Sequence, residues 1–125
     1  MKGWSVVHGS CYRLLLGSVT QSTAQANCLA IGGSLALVSS AAELAVAQAF
    51  IQAEGLGPTN GVWVDGSDAA QEGTWLTYNG DVMAYLGWTG PNGGANANCM
   101  RLHGQDVSDE NCDDVGGIDA ALCEL

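Results

Sequence analysis

Hydrophobic and polar residues follow a helical rhythm early in this chain and a strand-like rhythm later. Ser10 to Leu16 is rich in strand formers and opens with Cys11-Tyr12-Arg13. From Thr20, a residue suited to capping a helix, the stretch to Ile31 places Ala24, Cys28 and Ile31 on one helical face. It stops at Gly32-Gly33, a glycine signal for a helix C-terminus, so a first helix is predicted there. Ser40-Ala41-Ala42-Glu43 forms a capping box, in which the Ser40 and Glu43 side chains satisfy each other's orphan backbone donors. Leu44, Ala47 and Ile51 follow at i, i+3 and i+7 until Gly55, which predicts a second helix. Beyond it Val62-Trp63-Val64, Thr74-Trp75-Leu76, Met100-Arg101-Leu102 and Ala121-Leu122-Cys123 are short apolar runs bounded by Gly, Asn and Asp, the pattern of strands. The order of elements is α+β, and no repeat of fixed period is visible.

One stretch follows neither rhythm. Between Asn79 and Asn98 lie Gly80, Gly87, Gly90, Pro91, Gly93 and Gly94, a segment far too long for a hairpin. Such a loop is either a binding element or a floppy insertion. Tyr85, Trp88 and the adjacent Cys99 argue for the ordered, binding form.

Composition narrows the function classes. At 125 residues the chain has the size of a single domain, taken as 1–125. Thirteen Asp and Glu against three Lys and Arg give a net charge of −10. That field repels phosphate backbones and anionic headgroups, which argues against nucleic-acid and membrane partners. No window approaches the roughly 18 to 20 apolar residues needed to cross a bilayer, and Met1-Lys2-Gly3-Trp4 runs into Ser5 and His8 rather than a leader's apolar core. The expectation is a soluble, already mature chain. The five cysteines, at 11, 28, 99, 112 and 123, show no C-x-x-C pair and no His at zinc-ligand spacing. Disulfides in an oxidising, secreted setting follow, with one cysteine left over; the alternative is five buried reduced thiols.

These residues together resemble the C-type lectin-like domains. Gly3-Trp4 followed by Cys11-Tyr12 is similar to the family's N-terminal hairpin, and Cys28 followed by Gly32-Gly33-Ser34-Leu35-Ala36 to its C-x3-G-G-x-L-A passage. Trp63-Val64-Asp65-Gly66-Ser67-Asp68 stands where the family has its W-I-G-L core motif, and Glu72-Gly73-Thr74-Trp75 matches its E-G-x-W turn. Trp88-Thr89-Gly90-Pro91-Asn92 is similar to W-x-x-x-E-P-N, shifted or shortened by a residue, and Cys99, Cys112 and Cys123-Glu124 match the last three cysteines and terminal C-E. The resemblance implies two helices flanking a small antiparallel sheet, plus a long-loop region, stapled by Cys28–Cys123 and Cys99–Cys112. In a chain-entropy estimate those loops, of about 95 and about 13 residues, stabilise by about 4.7 and roughly 3 kcal/mol. Cys11 then lacks the partner that the family's long form supplies just before Met1. It is expected as a reduced thiol, or as the bridge of a homodimer, because a two-fold axis brings identical positions together.

In this family the sugar site is a calcium site, and calcium wants six to eight oxygens. Position by position, the E-P-N carboxylate is Gly90, its amide is kept as Asn92, and the acidic residue two before Cys99 is Ala97. The W-N-D triplet falls on Val107-Ser108-Asp109. The resemblance therefore implies a ligand site of Asn92, Asp109 and Ser108, with Trp88 as loop anchor or stacking platform. The same carry-over gives a metal set of Asn92 and Asp109, and an auxiliary set of Asp68, Glu72 and the neutral Asn98. Calcium binding of millimolar class at most is expected unless Asp113 or Asp114 joins in. Six acids, Asp106, Asp109, Glu110, Asp113, Asp114 and Asp119, crowd around Cys112. They either rebuild a cation site or form a solvated acidic face.

Catalytic chemistry finds no footing. His8 and His103 lie in no nucleophile motif, and the pairs Asp65 with Asp68 and Asp113 with Asp114 cannot be placed at a glycosidase's separation from sequence. The expectation is an extracellular, non-enzymatic recognition module with a glycan or protein ligand. Carbohydrate binding leads; a surface-interaction module without sugar or calcium, and an ice-binding relative, are the alternatives.

Overall fold

The computed structural model describes residues 3–57, 59–86, 97–103 and 106–125. The chain runs β1 (Ser5–Val7), β2 (Ser10–Leu16), α1 (Gln21–Ala30), β3 (Ser34–Leu35), α2 (Ala41–Ala53), β4 (Gly61–Ser67), β5 (Cys99–His103), β6 (Asp106–Glu110) and β7 (Ala120–Glu124). Both helices start where capping chemistry directs. The Thr20 hydroxyl accepts from the Thr23 amide, and the Ser40 hydroxyl from the Glu43 amide. The Glu43 carboxylate accepts from the Ser39 hydroxyl. Both end in Schellman motifs: the Gly33 amide reaches the Cys28 carbonyl, and the Leu56 amide that of Ile51. Gly32 takes the left-handed conformation this requires, at φ 93°. Its neighbour Gly33 lies so close to Trp4 that a Cβ would sit 2.6 Å from the indole, which accounts for the second glycine.

The sheet has the order β1-β2-β7-β4-β5-β6, with β3 also paired to β7. Every pair is antiparallel except β4 and β7, which run parallel. The sheet is thus mixed where an antiparallel one was expected, because the last strand returns between β2 and β4 and can be antiparallel to only one of them. Thr74–Trp75–Leu76 is no strand. Turn hydrogen bonds at Gln71, Gly73 and Thr74 occupy the backbone before it, and only Leu76 makes isolated bridges, to Ser67 and Val82. Conversely β6 forms from the acidic stretch in which the sequence pattern shows no strand.

Alternation along β4 and β7 divides the core. Val62, Val64, Ala120 and Leu122 join Ala47, Phe50 and Ile51 of α2 in one cluster; Trp63, Ala121 and Cys123 join Ala24 and Cys28 of α1 in another. Trp63 is wholly buried and its indole N–H donates to the Val19 carbonyl at 2.7 Å, so its one polar atom is satisfied. Trp75 is also core. Cys28–Cys123 ties α1 to β7, and Cys99–Cys112 ties β5 to the loop after β6. Cys11 takes part in neither bridge; it sits half-buried on β2 opposite Val6. No helix among the described residues is long and apolar enough to cross a membrane.

Candidate functional site

The sequence-predicted site residues fall on three parts of the chain, of which two are described. Trp88 and Asn92 lie outside the described residues. The second part is the turn after β4. The Asp68 carboxylate is buried and its Oδ2 accepts from the Gly73 amide at 2.9 Å, while the Asp68 amide donates to the Asn98 carbonyl at 3.1 Å. Asp68 and Asn98 are therefore brought together, and Glu72 stands exposed on the same turn.

The third part is β6, the edge strand of the sheet. Val107 is buried in the core, so the residue standing where the family has tryptophan serves packing. Ser108 faces Arg101 across the β5–β6 ladder, and its Oγ accepts from the guanidinium Nε at 3.2 Å. The same guanidinium donates to the Gly117 carbonyl at 2.8 Å and pairs with Glu110 at 3.2 Å. Asp109, half-buried, stands opposite Met100. A cation already rests on the strand that would offer ligands to a metal, and Ala97 brings no oxygen from its side chain. The described residues do not fit a calcium ion at the principal position.

Three of the six acids around Cys112 are engaged in local structure. Asp119 Oδ2 accepts from the Asn60 side chain and the Gly61 amide, at 3.0 and 3.2 Å, and Asp114 accepts from the Gly116 amide at 2.9 Å. Glu110 accepts from the Asn111 amide besides pairing with Arg101. Acids on β6 also protect a sheet edge from pairing with another strand. Among the described residues no three acids, histidines or cysteines gather in a group able to hold a metal.

Sequence reasoning missed a polar network at the end of β4. Gln21 is buried, and its Nε2 donates to the carbonyls of Val64 and Gly66, both at 3.0 Å. Its Oε1 accepts from the Tyr78 hydroxyl at 3.1 Å, while the Tyr78 amide donates to Asp65 Oδ1 at 3.0 Å. Burial pushes the Asp65 carboxyl up to about 6, although amides of Tyr78 and Gly66 draw it the other way. Burial, with Asp65 nearby, also raises the Tyr78 hydroxyl, and burial raises Glu124. The available signal was Gln21 itself, at i with Ala24 at i+3 and Cys28 at i+7, a polar residue on the buried stripe.

The disulfide pattern, the mixed sheet with its two helices and the long loop between β4 and β5 agree with a family comparison. The model of the Lectin C-type domain family matches residues 17–124. This chain belongs to the C-type lectin domain family. The galactose-specific lectin nattectin of Thalassophryne nattereri is 34% identical over 88 residues, covering 70% of this chain and 54% of that protein. The type-2 ice-structuring protein of Hemitripterus americanus is 31% identical over 102 residues, covering 80% and 58%. Among solved structures, a calcium-independent type II antifreeze protein superposes with a TM-score of 0.80 at 27% identity, covering all of this chain and 92% of that one. The chain spans little more than half the length of these two curated relatives. The two curated relatives are named as a lectin and as an ice-structuring protein, and neither name is that of an enzyme.

Proposed function

We propose that this module acts outside the cell and recognises carbohydrate, without calcium, through the 79–98 loop and β6. The observation that supports independence from calcium is the Arg101 guanidinium seated on Ser108 and Glu110. Where metal-binding members would present β6 oxygens to a cation, this chain supplies its own. Support for the ligand class comes from the sequence likeness to a galactose-specific lectin. The test is galactose binding by calorimetry in calcium and again in chelator. Equal affinity in both, with a melting temperature that calcium moves by less than about 1 °C, is the expected result. Binding abolished by the chelator overturns the calcium-free reading, and no saturable glycan binding in either buffer overturns the ligand class.

A second reading rests on its own observation. An ice-structuring protein and a calcium-independent type II antifreeze protein are both similar to this chain over 80% of its length or more. Ice binding would show as thermal hysteresis in a purified sample at submillimolar concentration, with a glycan screen negative.

A further inference from the structure

A cavity of about 410 Å³ opens between the start of α1, residues 67–78 and the Cys99–Cys112 bridge. Its volume lies in the range of small-molecule sites, about 300 to 1,000 Å³. Neither Ser108 nor Asp109, on which the carbohydrate reading rests, is among the residues that line it. Small side chains make the room: Ala69, Ala70 and Ser22 line it where larger residues would close it.

The aromatic wall is fixed in advance. Tyr78 is 43% exposed, yet its amide is held by Asp65 and its hydroxyl by the buried Gln21. An exposed ring anchored at both ends meets a ligand with little ordering cost. The bridge sulfurs beside it are polarizable and favour contact with an aromatic ring.

The polar groups of the lining are mostly engaged. Gln21 spends both ends of its amide within the fold, Ser67 Oγ accepts from the Ala69 amide, and Thr77 Oγ1 accepts from the amides of Asn79 and Asp81. A polyhydroxylated sugar would find few partners for its hydroxyls. Among the described residues Asp113 is the one charged side chain of the lining, it is exposed, and no Lys or Arg lines the cavity. With a net charge of −10 over the whole chain, the field and the local carboxylate agree in sign.

We infer that this cavity binds a small organic amine: a single ring seated between Tyr78 and the Cys99–Cys112 bridge, with its ammonium on Asp113. Tyr78 and the bridge sulfurs offer contact to a ring that a lysine's methylene chain does not supply, so the occupant is a free amine with an aromatic body. Phenethylamine is the probe, titrated into isotopically labelled protein and followed by amide chemical shifts.

Saturable shifts at Ala69, Ala70, Tyr78 and Asp113 are expected, with 2-phenylethanol binding at least about fivefold more weakly. Asp113→Asn should weaken the amine by about fivefold and leave the alcohol unchanged, because an exposed ion pair contributes little more than that. Ala70→Trp, at an exposed position, should fill the cavity and abolish both without lowering the melting temperature. Glu54→Gln, at the C-cap of α2, serves as the charge control. The proposal is overturned by equal binding of amine and alcohol, by an Asp113→Asn variant with unchanged amine affinity, or by shifts confined to other surfaces. Nα-acetyl-lysine methylamide binding as tightly as phenethylamine would also overturn it, in favour of a partner's lysine. Galactose that competes with phenethylamine would overturn the proposal by making the cavity a sugar site, whereas galactose that binds without competing supports a separate amine site.

Discussion

The two faces of the sheet are held by different means. On the α1 face the buried cluster is built largely of small residues, Ala24, Ala121 and half-cystines, with only Leu35, Trp63 and Ile118 as large apolar members. Both disulfides belong to this face. On the α2 face Tyr12, Phe50, Trp75, Met100, Leu102 and Leu122 fill a larger cluster that contains no cysteine. Apolar burial stabilises in proportion to area, so this smaller cluster contributes less by packing than the one on the α2 face. Covalent closure does there what large side chains do on the opposite face.

The largest effect that tests this contrast is the loss of Cys28–Cys123. Its half-cystines are 95 residues apart, for which chain entropy gives about 4.7 kcal/mol. That is a large share of the roughly 5 to 15 kcal/mol by which ordinary domains are stable. Cys28→Ala with Cys123→Ala is expected to leave the domain largely unfolded at 37 °C, read by circular dichroism. A melting temperature within a few degrees of the parent would show that packing on the α1 face suffices alone.

The matching test on the opposite face is Phe50→Ala. Phe50 is 8% exposed and its ring centroid lies 5.7 Å from that of Tyr12. A cavity there should cost about 3 kcal/mol in chemical denaturation, and Phe50→Leu about 1 kcal/mol. If Phe50→Ala cost more than the missing bridge, the ranking of the two faces would reverse.

How far each face was legible in the sequence follows the same division. The capped helices carry a helical period, the stretches around Trp63, Leu102 and Leu122 are short apolar runs, and the structure places elements at each. The parallel β4–β7 pair was not legible, since direction depends on where the last strand inserts and no local pattern encodes that. Nor was the β6 edge strand. Its acids read as cation ligands or as a solvated face, because an edge strand has one solvated flank and tolerates charge that a central strand would not. The candidate site was the least legible part. Ser108 is visible in the sequence as a residue type, but its capture by Arg101 depends on the β5–β6 register. Tyr78 and Gln21 are 57 positions apart and meet only in three dimensions.

Between the two faces, buried polar side chains gather at the end of β4: Gln21, Asp65 and Asp68. Asp65 gives a test with a definite sign. Its carboxyl is raised from an ordinary 3.8 to about 6 in the folded chain, so the folded state binds a proton more readily than the unfolded one. The stability conferred by that proton is fully present below about pH 4 and is lost as pH rises through about 6. Asp65→Asn keeps an oxygen for the Tyr78 amide and removes the buried charge. It should raise the melting temperature by about 3 to 6 °C at pH 7.5 and change it little at pH 4. Glu124, raised in the same direction, remains in the variant and leaves a shallower slope of the same sign. A variant less stable than the parent at pH 7.5 would mean that the ionised carboxylate gains more from its amide partners than it loses by burial.

The smallest expected effect compares the helix starts themselves. The Ser40 hydroxyl accepts from the Glu43 amide at 3.1 Å, and the Thr20 hydroxyl from the Thr23 amide at 3.3 Å. Replacing a capping hydroxyl by alanine typically costs about 1 kcal/mol. For Ser40→Ala that full amount is expected, because α2 is held by its cap and its packing. For Thr20→Ala about half is expected. The first turn of α1 keeps the Gln21 amide on the Cys112 carbonyl and the Gln21 side chain on Val64 and Gly66, and Cys28 tethers the same helix to β7. Amide exchange resolves the two: protection should fall at Glu43 and Leu44 in Ser40→Ala, and much less at Thr23 and Ala24 in Thr20→Ala. Equal losses at both helix starts would show that the bridge on the α1 face stabilises only against global unfolding and leaves the local opening of its helix unchanged.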